Sequence, residues 1–194
     1  MKLTPRYADA FSFARELHEN QVRKGTEIPY LAHLMAVSAI VLEHGGSEDE
    51  AIAALLHDAV EDQGGHDTLV EIVRRFGETV GMIVDGCTDT DVVPKPPWRE
   101  RKERYVAHVK KTPRAVRLVS AADKLHNARS ILTDYRTQGD ALWSRFSGGK
   151  DGSLWYYRAL TTAYADAAGD PTPAALLREL DRVVTELETL SRKS

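Results

Sequence analysis

Hydrophobic residues recur at steps of three and four along most of the chain, the spacing of amphipathic helices. The first run follows Thr4-Pro5, a pair typical of a helix start. The last run places five apolar residues on one helix face: Leu176, Leu180, Val183, Leu187 and Leu190. No convincing alternating strand pattern separates these runs, so the sequence predicts an all-α fold.

Capping and turn residues predict where the helices begin and end. Ser47 and Glu50 form a capping box, and we expect the helix that it opens to continue through Val60. Thr68 and Glu71 predict a second capping box. Periodicity places further helices at 98–111, 113–137, 140–146 and 153–167, and Pro- or Gly-rich loops at 88–97 and 147–152.

Composition narrows the class of protein. A length of 194 residues with 42% hydrophobic content suits one globular domain. The net charge of −3 argues against a nucleic-acid or polybasic membrane surface. Cys87 is the single cysteine, which excludes an internal disulfide and a cysteine-rich zinc site. With no signal-peptide pattern and no membrane-length apolar run, the expected location is cytoplasmic.

A histidine–aspartate pair ends the apolar run AIAALL. His57 and Asp58 are followed one turn later by Glu61 and Asp62, in ALLHDAVED. A buried polar pair needs partners or a metal ion. A solvated acidic helix end is the alternative, but acidic residues at a helix C-terminus oppose the helix dipole. A bound divalent cation would remove both penalties.

Two further residues complete a possible ligand set. His33 lies in PYLAHLMAV, and Asp123 interrupts an apolar run in VRLVSAADKLHNARSI. The alternatives are a core histidine and a buried ion pair between Asp123 and Lys124. Together with His57 and Asp58 they offer two nitrogens and two carboxylates, which suit Mn²⁺, Fe²⁺ or Zn²⁺ better than Ca²⁺. Such an ion can acidify a bound water and neutralise a phosphate.

Arg23 and Lys24 precede His33 in a turn that contains Gly25 and Pro29. Two cations on a loop beside a metal would suit an anionic substrate, whereas the alternative is an exposed basic turn.

The order H…HD…D is the signature of HD-superfamily metal-dependent phosphohydrolases. The segments RKGTEIPYLAH, LLHDAVED and ADKLHNARSI are similar to the hydrolase domain of the Rel/Spo family. They most resemble its free-standing branch, the small alarmone hydrolases, which include the metazoan SpoT homologue. The resemblance implies a single HD-domain helical bundle over residues 1–194, with no synthetase domain.

The resemblance also implies an activity and its residues. The expected reaction is Mn²⁺-dependent removal of the 3′-pyrophosphate of guanosine tetra- and pentaphosphate, giving GDP or GTP and pyrophosphate. Other divalent transition ions could replace Mn²⁺. Glu61 and Asp62 match the acidic pair that positions and activates the attacking water. The implied metal ligands are His33, His57, Asp58 and Asp123.

Substrate contacts are implied in the same way. Arg23 and Lys24 match the pair that contacts nucleotide and phosphate. Asn127 and Ser130 match an Asn-x-x-Thr pair of the nucleoside pocket, under which Tyr30 is expected to pack.

The segment RFSGGKDGSLWYYRAL resembles the C-terminal part of some bacterial small alarmone hydrolases. It could supply an aromatic wall and a cation, Lys150 or Arg158. We select Tyr156 over Trp155 and Tyr157 for the wall. Ordinary packing of an aromatic helix on the core is the alternative.

Some residues receive other interpretations. Gln63 departs from the Thr that often follows the acidic pair in this family. His126 is a candidate for a position just outside the ligands, and His18 is expected to be structural. We expect the run RERKERY at 99–105 to be a solvated helix face, with one arginine in reach of a distal phosphate.

Several alternatives for function stay open at this point. The substrate could be an adenosine alarmone or the 2′-phosphate of NADPH instead. The chain could also be a non-catalytic nucleotide sensor or protein-binding module, or an antitoxin to a small alarmone synthetase. A homo-oligomer is possible, while DNA, RNA and membranes are not expected as partners.

Overall fold

The computed structural model describes residues 2–90 and 94–192, which form ten α-helices, one 3₁₀ helix and no strand. The all-α prediction is confirmed. Within the predicted loop at 88–97, residues 91–93 lie outside the described residues, and the others are non-helical. The helices are α1 (Pro5–Leu17), α2 (Leu31–Glu43), α3 (Glu48–Leu56), α4 (Ala59–Asp62), α5 (Gly65–Phe76), α6 (Glu78–Cys87), α7 (Trp98–Val109), α8 (Arg114–Gln138), the 3₁₀ helix (Gly139–Arg145), α9 (Gly149–Ala165) and α10 (Ala174–Ser191).

The long helix α8 is the centre of the bundle, because α2, α3, α6, α9 and α10 all pack against it. Its first half buries small and apolar side chains that allow neighbouring helices to approach closely. Leu118, Ala121, Ala122 and Leu125 are fully buried. Asp123 sits within this stretch and is only 5% exposed. A charged residue is therefore held where three helices meet, and it needs compensating partners there.

The helix opened by the Ser47 capping box is shorter than predicted. The box itself is confirmed, with both reciprocal backbone bonds present. However, α3 ends at Leu56, and a turn at residues 57–58 separates it from α4. The His57 ring bonds the Ala54 carbonyl oxygen at 2.8 Å. Adjacent residues of a continuous helix would point about 100° apart. The break matters because His57 and Asp58 are adjacent and yet contribute side chains to the same site.

The second predicted capping box is wrong. Helix α5 begins at Gly65, so Thr68 lies inside it and donates to the Gln63 carbonyl at 2.6 Å. Gly64 has φ +119°, a conformation that favours glycine, and this turn starts the helix earlier. Glu71 instead accepts hydrogen bonds from arginines on its own helix.

Helix α9 begins at Gly149, inside the predicted glycine-rich loop. A Cβ on Gly148 would lie 2.6 Å from the Trp98 ring, and one on Gly152 would lie 3.1 Å away. These glycines therefore allow α9 to pack closely on α7 rather than breaking the helix. The last helix follows its prediction more closely: Leu176, Leu180, Val183 and Leu187 are buried, and only Leu190 is partly exposed.

Among the described residues, no helix combines the length and the apolar character needed to cross a bilayer.

Replacing Ser47 with Ala should lower the free energy of unfolding by about 1 kcal/mol, because an N-cap oxygen would be lost from the start of α3. Urea denaturation followed by circular dichroism measures this change. Ser12→Ala, at an exposed position inside α1, is the control and should change stability by less than about 0.5 kcal/mol. An equal effect of both substitutions would contradict the capping role.

Candidate metal centre and substrate cavity

Four side chains from three parts of the bundle converge on one point. His33 comes from α2, His57 and Asp58 from the α3–α4 turn, and Asp123 from α8. Ligand atoms of His33, His57 and Asp58 all lie within 4.8 Å of one another. The Asp123 Oδ1 atom lies 3.2 Å from His33 Nε2 and 3.6 Å from His57 Nε2. The structure thus brings together all four ligands implied by the sequence.

The two histidines present free nitrogens to this point. His33 Nε2 and His57 Nε2 are buried and have no hydrogen-bond partner among the described residues. On the other side of its ring, His57 Nδ1 must donate to the Ala54 carbonyl, since a carbonyl oxygen only accepts. In the neutral ring this leaves a lone pair on Nε2, as metal ligation requires. The donor set therefore fits a divalent transition ion.

Charge within the cluster is tightly coupled. Burial opposes ionisation of Asp58 and Asp123, but neighbouring positive charge holds the pKa of both carboxyls well below the usual range. The positive charge comes from His57 for Asp58, and from Lys124 and then His57 for Asp123. Burial lowers the pKa of His57, whereas Asp58 and Asp123 raise it, with a net shift well upward. A bound metal cation would take the place of the proton that these carboxylates attract.

Asp123 forms the ion pair with Lys124 that the sequence offered as an alternative, and it also faces the two histidines. Its Oδ2 atom accepts from Lys124 Nζ at 2.5 Å, while Oδ1 faces the histidines. Asn127, one turn along α8, donates to Oδ1 at 2.5 Å and accepts from Arg23 at 2.8 Å. A continuous chain of hydrogen bonds therefore joins the histidine–aspartate cluster to the basic turn before α2.

Tyr30 and His126 each form a hydrogen bond with one of the clustered side chains. The Tyr30 hydroxyl donates to Asp58 Oδ2 at 2.5 Å. His126 Nδ1 lies 2.7 Å from His33 Nδ1, so one of these nitrogens must donate to the other. Burial and then the charges of His33 and Arg23 lower the pKa of His126 to about 4, which favours a neutral ring that can accept. His126 is thus placed to orient His33, as second-layer partners of metal-bound histidines do.

Glu61 and Asp62, the acidic pair that follows the clustered residues, have different hydrogen-bond partners. Glu61 accepts from Lys95 at 2.7 Å, and Asp62 accepts from Gln21 at 2.8 Å. Partial burial and the charge of Asp58 raise the pKa of Asp62 above its usual value. Lys95 therefore compensates the charge of Glu61, whereas Asp62 has only an amide partner and still senses the negative charge of Asp58.

A cavity of about 650 Å³ adjoins the cluster. Four of its lining residues, Tyr30, His126, Lys124 and Asn127, each contact one of the four clustered ligands. The other lining residues that the sequence singled out for substrate binding are Arg23, Lys24, Ser130 and Tyr156.

Of the aromatic segment, Tyr156 and Tyr157 line the cavity. Trp155 lies elsewhere, with the Arg99 guanidinium stacked 3.4 Å from its ring centre. Lys150 pairs with Asp140 at 3.0 Å, and Arg158 pairs with Glu188 at 2.8 Å. Neither cation lines the cavity.

The sequence did not single out Lys102 or Arg101 as an individual site residue. Their side chains are only 17% and 12% exposed and both pair with Asp89. Lys102 lines the cavity, and both residues line a smaller recess beside it that Glu61 also reaches. The solvated-face prediction for 99–105 is therefore wrong at these two positions and at Tyr105, which is 4% exposed. The available signal was the helical spacing from Trp98 to Tyr105, which places 101 and 102 toward the same side.

The rest of the cavity lining adds charge that no motif indicated. Arg129 and Arg145 contribute guanidinium groups, and Asp134 is the one carboxylate among the described lining residues. Arg145 pairs with Asp134 at 3.0 Å. The cavity lining is therefore rich in basic side chains, of which Arg23 and Lys24 have no carboxylate partner among the described residues and the other four each pair with a carboxylate.

The fold and this site define an all-helical protein with a histidine–aspartate centre beside a cationic cavity. A family model described as "HD domain" matches residues 10–153, well over half of the chain. The chain belongs to the HD domain family.

Similarity to known proteins extends beyond this model. The chain is 40% identical over 126 residues to a Xenopus tropicalis protein named guanosine-3′,5′-bis(diphosphate) 3′-pyrophosphohydrolase MESH1, covering 63% of this chain and 68% of that protein. The human protein of the same name is 37% identical over 126 residues, with the same coverage. The resemblance to small alarmone hydrolases is confirmed.

Solved structures show the same fold. The structure of a metazoan ortholog of SpoT, described as hydrolysing ppGpp, matches with a TM-score of 0.77 at 24% identity, covering 96% of this chain and 97% of that one. A Listeria monocytogenes protein matches with a TM-score of 0.67 at 26% identity, covering 82% and 99%.

Binding of a divalent transition ion to the four clustered side chains should stabilise the folded chain, and Mn²⁺ is the ion used to measure this. At about a hundredfold excess over Kd we expect the Tm to rise by roughly 5–10 °C relative to a chelated sample. Differential scanning fluorimetry measures this shift. His57→Ala should abolish most of it, whereas His66→Ala, at an exposed position of α5, should retain it. An undiminished shift in the His57 variant would argue against this centre.

Proposed function

We propose that this chain hydrolyses guanosine tetra- and pentaphosphate to GDP or GTP and pyrophosphate, using Mn²⁺. The carrying observation is the continuity between the histidine–aspartate cluster and the cavity. Three of the four clustered residues, His33, Asp58 and Asp123, contact side chains that also line the cavity. The names of the relatives support the same reaction.

The charge of the cavity suits a substrate with two diphosphate groups. Six basic side chains among the described residues line it: Arg23, Lys24, Lys102, Lys124, Arg129 and Arg145. Four of them pair with carboxylates, and the charge of the other two, Arg23 and Lys24, favours an anionic ligand over a neutral one. Its volume lies within the range of about 300–1,000 Å³ that is common for small-molecule sites.

We assign roles along the cavity by contact with the cluster. His33, His57, Asp58 and Asp123 are the metal ligands. When bound, the metal acidifies water and neutralises phosphate charge. Arg23 and Lys24 bind phosphate, and Asn127 holds Arg23 in place through the bond described above. The remaining substrate contacts that we propose are Tyr30, Ser130 and Tyr156.

In the reaction, a water oxygen forms a bond to the phosphorus attached to the ribose O3′. The bond between that phosphorus and O3′ breaks, and O3′ takes up a proton from the solvent and leaves as the 3′-hydroxyl. Asp62, with its raised pKa, is suited to accept the proton of the attacking water. We assign Glu61 to orient this water, and Lys95 holds the Glu61 carboxylate at 2.7 Å.

A cytoplasmic location accompanies this proposal, since a single cysteine suits a reducing compartment. A homo-oligomer and a partner synthetase remain proposals that the sequence raised.

The direct test is incubation of the purified chain with Mn²⁺ and guanosine tetraphosphate. We expect release of GDP and pyrophosphate in equal amounts, followed by ion-exchange chromatography. Chelation or Asp58→Ala should abolish release, because the ligand set is then empty or broken. Asp9→Ala, an exposed carboxylate on α1, should leave the rate unchanged.

Parallel reactions contain an adenosine alarmone or NADPH in place of the guanosine substrate. Faster turnover of either would assign the site to that nucleotide. No turnover of any of them by Mn²⁺-loaded protein would contradict the hydrolase assignment.

Replacing Asp62 with Asn should lower kcat by at least about 100-fold, since a positioned general base is lost. The Mn²⁺-induced rise in Tm should persist, because Asp62 is not among the four clustered ligands. In the unchanged protein, activity should fall as the pH drops through the pKa of Asp62, which lies above the ordinary value of about 4. The dependence of kcat on pH measures this. A variant with unchanged kcat would exclude Asp62 as the base.

A further inference from the structure

Gln21 follows α1 and joins three polar side chains beside the centre: His18, Asp62 and Gln63. We propose that Gln21 is a positioning residue that holds the Asp62 carboxylate in one orientation for catalysis, and that Gln63 acts through Gln21. This inference rests on the proposed function, because it concerns the residue assigned as the base.

The neighbours determine which atom of the Gln21 amide faces each of them. The Asp62 carboxylate only accepts, so the atom 2.8 Å from its Oδ2 must be the Nε2 amide group of Gln21. Gln21 Oε1 then points away and needs donors. Gln63 Nε2 supplies one at 2.6 Å, and His18 Nδ1 supplies another at 2.7 Å. The Asp62 carboxylate therefore fixes the orientation of the Gln21 amide, and Gln63 and His18 can supply the donors that this orientation requires.

His18 completes this arrangement from the buried side. It is 3% exposed and stacks on Tyr30, with ring centres 5.3 Å apart. Burial lowers the pKa of His18, which favours the neutral ring with a single proton. Donation from Nδ1 to Gln21 leaves a lone pair on Nε2, which is buried and without a partner among the described residues. His18 can therefore serve as the donor that Gln21 Oε1 requires.

Gln63 supports the orientation that Asp62 imposes on Gln21. If the Gln21 amide were reversed, its oxygen would face the Asp62 carboxylate, which only accepts, and this contact would be repulsive. The bond that Gln63 Nε2 donates at 2.6 Å stabilises the other orientation, because it satisfies Gln21 Oε1.

A purely structural role is the competing explanation, since these bonds also tie the segment after α1 to α4. That role predicts a loss of stability without a specific loss of kcat. The two explanations therefore differ in kinetics, and a set of methionine substitutions separates them. Methionine has a length similar to glutamine but no hydrogen-bonding amide.

The experiment measures kcat and KM of the Mn²⁺-loaded chain on guanosine tetraphosphate for Gln21→Met, Gln63→Met and the double variant. Gln21→Met should lower kcat by about 10- to 100-fold, the range expected for a lost hydrogen bond to a charged group, with KM changed less than about twofold. Gln63→Met should have a smaller effect. The double variant should match Gln21→Met alone, because Gln63 acts only through Gln21. Asn20→Leu, at the exposed neighbouring position, should match the unchanged protein.

A second measurement does not depend on activity. The carboxyl ¹³C resonance of Asp62 is titrated in chain loaded with diamagnetic Zn²⁺, with Asp62→Asn for assignment. Loss of the Gln21 bond should raise the pKa of Asp62, since that bond stabilises the charged form. The other charged or titratable groups around Asp62 stay the same in every variant: Asp58, Glu61, His18 and Lys95.

The possible results distinguish a failure of the positioning role from a failure of the proposed function. Lower stability with unchanged kcat and unchanged Asp62 pKa would overturn the positioning role. Additive losses in the double variant would overturn the part assigned to Gln63. If the unchanged protein releases no pyrophosphate but Gln21→Met shifts the Asp62 titration, the proposed function fails while the orientation of Asp62 by Gln21 stands.

Discussion

The structure depends on how it accommodates charge at the crossing of α2, α3 and α8. Asp123 has a side chain that is 6% exposed, in the middle of an apolar helix face. An isolated buried carboxylate would be strongly unfavourable. It is tolerated because Lys124 and Asn127 donate hydrogen bonds to it and two histidine rings lie within 4 Å of it. The bundle must bring these elements together, so the same packing of α2, α3 and α8 forms both the core and the centre.

Helix α8 extends this centre into the cavity. Asp123, Asn127 and Ser130 follow one another at steps of four and three, and the last two line the cavity. Because one helix carries all three, the distance between the cluster and the part of the cavity that Ser130 lines is set by backbone geometry. The hydrogen bond from Arg23 to Asn127 then fixes the basic turn against the same helix. Binding and chemistry thus share one scaffold.

The local sequence predicted much of this arrangement, and its errors have identifiable causes. The helical periodicity located nearly every element, and the resemblance named His33, His57, Asp58 and Asp123, which the structure gathers. The break at 57–58 was missed because the bond from His57 to a backbone carbonyl competes with a helical pattern that continues on both sides. The burial of Arg101 and Lys102 was missed because their shared partner, Asp89, lies on another segment.

The sequence alone determined the fold class, the family resemblance and the residue types of the centre, because periodicity and short motifs are local properties. Tertiary structure decided which polar atoms lack partners, where the cations gather and how each amide is oriented. Those features depend on contacts between residues far apart in the chain, such as Arg23 with Asn127 or Gln21 with Asp62. Burial then determines the electrostatics, because a charge removed from water interacts more strongly with its neighbours.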